Sequence, residues 1–138
     1  MSYYLSIFKR EFVKDFSRIW VISSSQPPLN PVIKPLRELG CSIKFGSLND
    51  SIDILSSAQT LVCSYSTFPK HLFYLSPNSS KLYVADYFIN NLFLSKNIPP
   101  LDVKVVTLPN YLKPGGWKAS PSDINLLLNY PISSITIE

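Results

Sequence analysis

Short apolar runs alternate with helix-like segments along the whole chain, joined by connections of only a few residues, and few architectures accommodate that rhythm. Runs rich in β-favouring residues fall at 18–22, 42–45, 60–63, 81–85 and 103–107. The run from Ile19 to Ile22 shows no alternation of polar and apolar residues, which predicts a strand covered on both faces, as in a parallel sheet. Between these runs lie the helical segments. In residues 3–16 the apolar Tyr4, Leu5, Phe8, Phe12 and Phe16 recur at three- and four-residue spacing, away from Lys9, Arg10, Lys14 and Asp15. Asn30-Pro31 and Gly40 bracket a second helix, whose regular part begins near Lys34 because Pro35 carries no N–H. Asn49 or Asp50 caps a third, ending at Ser57, with Ile52, Leu55 and Ala58 toward the core. A fourth spans 67–75, and Ser120-Pro121 opens a last one that ends at Asn129. These elements predict an α/β fold: a single three-layer Rossmann-like domain over residues 1–138, built on a mostly parallel sheet. Ligands of such sheets bind outside the carboxyl ends of the strands.

The length of 138 residues suits one domain, and 46% hydrophobic against 16% charged residues excludes a disordered chain. Twelve prolines lie between the apolar runs, where they punctuate the elements. The net charge of +4 mildly favours anionic partners, but the basic residues are scattered rather than gathered in a stripe, so nucleic acid is not an expected partner. Cys41 and Cys63 each sit in a β-like stretch and read as buried, reduced core residues. One histidine, two separated cysteines and the weak pair Asp50-x-x-Asp53 make no metal set. No apolar run is long enough to cross a membrane, and the start lacks the pattern of a signal peptide, which together predict a soluble chain, cytoplasmic or of unknown location.

The stretch richest in chemistry is the junction after the run 60–63. There Ser64-Tyr65-Ser66-Thr67-Phe68 passes from an apolar strand into a helix. With Ser66 or Thr67 as N-cap, the next backbone N–H groups lack helical partners and carry the positive end of the helix dipole, which suits an anion. Pro69 falls in the first turn, where its missing donor costs little, and the hydroxyls of Ser64, Ser66 and Thr67 add hydrogen-bond donors. The same residues also serve an ordinary capped helix with no ligand.

The segment D-S-I-D-I-L-S-S-A-Q-T-L-V-C-S-Y-S-T-F, residues 50–68, resembles the donor-side motif of fucosyltransferase-like glycosyltransferases of the GT-B type. I-W-V-I-S at 19–23, N-P-V-I at 30–33, and L-P-N-Y with G-G-W within 108–117 agree with it. The resemblance covers most of this chain but only the C-terminal, donor-binding half of such an enzyme. It implies that Ser66, Thr67 and Phe68, with Ser64 beside them, hold the diphosphate of a nucleotide sugar, GDP-sugar being favoured. It also implies that Asp50 or Asp53 lies near the base or ribose, without choosing between them; both equally suit helix capping. The nucleotide sugar would be a substrate, with no further cofactor and no metal.

The family's His-x-Arg-x-Gly-Asp run, whose arginine neutralises the leaving diphosphate, has no counterpart: the arginines are Arg10, Arg18 and Arg37, none in that context. Ser2-Tyr3-Tyr4 resembles the segment leading into the second half of such transferases, so the expected partners include a missing N-terminal half, or a second copy meeting the aromatic face of residues 3–16. Two further readings stand beside the transferase: a non-catalytic nucleotide- or phosphate-binding module, and a protein-interaction domain. His71 reads as a structural helix residue rather than a general base, and Trp20, Tyr111 and Trp117 as packing residues that would also suit stacking on a base or sugar.

Overall fold

The computed structural model describes residues 2–12, 18–23, 31–47, 49–63, 77–86, 102–111, 118 and 120–138. The chain is α/β with mostly parallel strands, and it divides into two units, Met1–Ser51 with Pro109–Ile135, and Ile52–Leu108 with Thr136–Glu138.

In the first unit, helix α1 (Ser2–Ile7) runs into a π-helical turn at Phe8–Phe12. Its buried residues are Tyr3, Ser6, Ile7 and Phe8, whereas Tyr4 and Leu5 are half-buried. The stripe expected through Tyr4, Leu5 and Phe8 is therefore rotated. Apolar residues occupy nearly every side of this helix, so spacing alone leaves its phase open, and Tyr3 and Ile7 satisfy the same four-residue rule. The buried side packs on helix α4 (Pro121–Asn129) and on the 3-10 turn Ile132–Ser134. Of the aromatic face expected for residues 3–16, Tyr3 and Phe8 are buried and Tyr4 is half-buried, while the side chains of Phe12 and Phe16 lie outside the described residues.

Strands β1 (Trp20–Ser23) and β2 (Ser42–Phe45) pair in parallel, Trp20 opposite Ser42 and Ser23 opposite Phe45. β1 is not covered on both faces as its apolar run suggests: Trp20 is 51% exposed, and Val21 and Ile22 are half-buried. Among the described residues it pairs with β2 alone, so this two-stranded sheet has no central strand to enclose.

Helix α2 (Ile33–Glu38) buries Ile33 and Leu36. Pro35 lies in its first turn, where no intrahelical bond is lost, and this accommodates the awkward proline. The helix ends on a Schellman motif: Gly40 N–H donates to the Arg37 carbonyl at 2.9 Å and Cys41 N–H to the Leu36 carbonyl at 3.1 Å. Gly40 has φ +93°, the left-handed conformation this ending requires.

The second unit holds a four-stranded sheet in the order β3-β4-β5-β6. β3 (Thr60–Cys63), β4 (Lys81–Ala85) and β5 (Asp102–Thr107) are parallel neighbours, and β6 (Thr136–Ile137) closes the edge antiparallel to β5. Leu82, Tyr83, Val84 and Ala85 are wholly buried, as a central strand covered on both faces demands. Leu61, Cys63, Leu82 and Val84 form one face, and Leu55 and Ala58, from helix α3 (Ile52–Ser57) and the residue following it, pack against them with Val103. Full burial of a Leu or Val side chain contributes about 1.5–3 kcal/mol, so this layer is a principal source of the unit's stability. The apolar runs predict buried parallel strands at 19–22, 61–63 and 82–85; the latter two are parallel with their leucines enclosed, while β1 is parallel but partly open.

Candidate functional site

Because β3, β4 and β5 run in parallel, their carboxyl ends share one edge of the sheet and their amino ends the other. The amino edge is tied by structural bonds. Ser80 N–H donates to the Gln59 carbonyl at 3.0 Å, Asp102 N–H to the Ser80 carbonyl at 3.1 Å, and Ser79 Oγ to the Ala58 carbonyl at 2.7 Å. Asp102 also pairs with Lys81 at 3.6 Å and with Lys104 at 3.7 Å, in partly exposed positions where ion pairs contribute little. Those contacts leave the amino edge fixed by main-chain geometry, with its cations engaged by a carboxylate.

At the carboxyl edge, β3 ends at Cys63, immediately before Ser64 in the sequence. Ser64, Ser66, Thr67 and Phe68 lie outside the described residues, as do His71 and Trp117. On the neighbouring strand, Ala85 ends β4 and is followed by Asp86, a half-buried carboxylate whose Oδ2 accepts from Leu108 N–H at 3.3 Å. That bond spans the carboxyl ends of β4 and β5. Asp86 is the residue that sequence reading passed over; the available signal was an acidic residue directly after the most apolar strand.

Asp50 has a clear local task. Its Oδ2 accepts from Ser47 Oγ at 2.7 Å and from Ser47 N–H at 2.9 Å, while its own N–H donates to Ser47 Oγ at 3.4 Å. This reciprocal exchange is a capping box with Ser47 as the cap and Asp50 three residues on, so the expected cap at Asn49 or Asp50 moves to Ser47. The Ser47 hydroxyl, then its N–H, and more weakly the charge of Lys44 hold the Asp50 carboxyl below the usual carboxylate range. Gly46 permits the close turn: it has φ +146°, and a Cβ there would stand 2.9 Å from Asp50 Oδ2. Asp53 is exposed, and its carbonyl accepts from Ser56 Oγ at 3.1 Å. Among the described residues no group of three His, Cys, Asp or Glu side chains is placed to hold a metal.

Both cysteines are buried and neither is in a disulfide. Burial pushes the Cys63 thiol up to about 12 and raises that of Cys41, which favours the protonated form of both. Tyr111 stacks edge-on against Tyr130 with ring centroids 5.2 Å apart, and Tyr130 donates to the Pro109 carbonyl at 2.6 Å. Burial first, then the nearby Tyr4 and Tyr130, raise the Tyr111 phenol to about 12. Tyr111 is thus a packing residue, whereas Trp20 presents an exposed ring.

No protein-family model matches the chain, and no match was found among curated proteins or solved structures. Among the described residues no helix is long and apolar enough to cross a membrane.

Proposed function

We propose that this chain is a nucleotide-sugar-binding α/β domain of the fucosyltransferase-like kind, taking a GDP-sugar at the segment Ser64–Phe68 that follows strand β3. The observation that carries the reading is the parallel strand itself. β3 ends at Cys63 beside a fully buried parallel neighbour, its carboxyl end lies at the edge where such sheets receive ligands, and the small hydroxyl residues come next in sequence. In this reading the hydroxyls of Ser64, Ser66 and Thr67 and the adjoining N–H groups bind the diphosphate, and Phe68 borders it. Asp53 is the better of the two aspartates for a base or ribose contact, because the Asp50 carboxylate is engaged by Ser47.

Donor binding is the proposed activity. Sugar transfer needs a cation against the leaving diphosphate, and the arginine run that would supply it has no counterpart in this sequence. That absence favours binding without transfer, with an acceptor-binding half as the partner that would complete an enzyme. Titration calorimetry with GDP, UDP and ADP tests the reading. GDP is expected to bind most tightly, with Ser66→Ala and Thr67→Ala each weakening it by about 0.5–3 kcal/mol while the fold persists. Failure of all three nucleotides to bind at millimolar concentration would reject it and leave an interaction domain.

A further inference from the structure

We draw no further inference here: the strongest candidate, the apolar surface patch that the exposed Trp20 ring makes at the start of strand β1 in the two-stranded sheet, carries none because nothing in the structure shows what covers it.

Discussion

Cys63 shows how burial sets chemistry at a single residue. It belongs to the apolar layer with Leu61, Leu82 and Val84, and that setting lifts its thiol from an ordinary 9.0 to about 12. The neutral thiol is the form the fold accepts. As pH rises past about 9 the unfolded chain releases this proton while the folded chain keeps it, so stability falls progressively between pH 9 and about 12. Tyr111, lifted from 10.0 to about 12, adds to the fall in the upper part of that window. Near pH 8 the native chain should therefore resist alkylation at Cys63 until urea unfolds it. Mass spectrometry after an iodoacetamide pulse reads this directly, and rapid native-state labelling of Cys63 would contradict the burial of β3. Asp50 works in the opposite sense. Its lowered carboxyl favours the fold above the ordinary carboxylate range, and the capping box is lost as acid protonates it.

Among the elements, α4 rests on the most complete local design. Ser120 caps it, with Oγ accepting from Asp123 N–H at 3.2 Å, and the Asp123 carboxylate returns to Ser120 N–H at 3.1 Å; Pro121 occupies the first turn. Ser120→Ala should lower stability by about 1 kcal/mol, seen as a shift in the urea midpoint with no change in slope, while Ser120→Asn retains most of the cap. A midpoint unmoved by Ser120→Ala would mean that the helix is held by packing alone. The serine-proline pair made this helix readable from sequence, and the apolar runs did the same for β2, β3 and β4. Other features depended on geometry that spacing does not encode. The capping role of Ser47 required Asp50 to reach back to it with its carboxylate against Gly46, and α1 carried apolar residues on too many sides to fix its buried face. β6 has only two residues, and its pairing with β5 joins positions far apart in sequence. Asp86 stood in plain view after β4, but its relation to Leu108 appears only once β4 and β5 are neighbours.

The sheet of the second unit is asymmetric between its two edges. Thr60, Lys81 and Asp102 stand at the edge tied by turns and ion pairs, and Cys63, Ala85 and Asp86 at the edge where Ser64–Phe68 follows in sequence. Parallel strands make that distinction possible, because every crossover returns the chain to the same starting edge and leaves the opposite one for a ligand. The most direct measurement is an amide chemical-shift map of the isotopically labelled chain during titration with GDP. The account predicts the largest changes at Cys63, Ala85 and Asp86, with Thr60, Lys81 and Asp102 nearly still. Changes concentrated at the amino edge, or a spectrum that does not move at millimolar GDP, would contradict it.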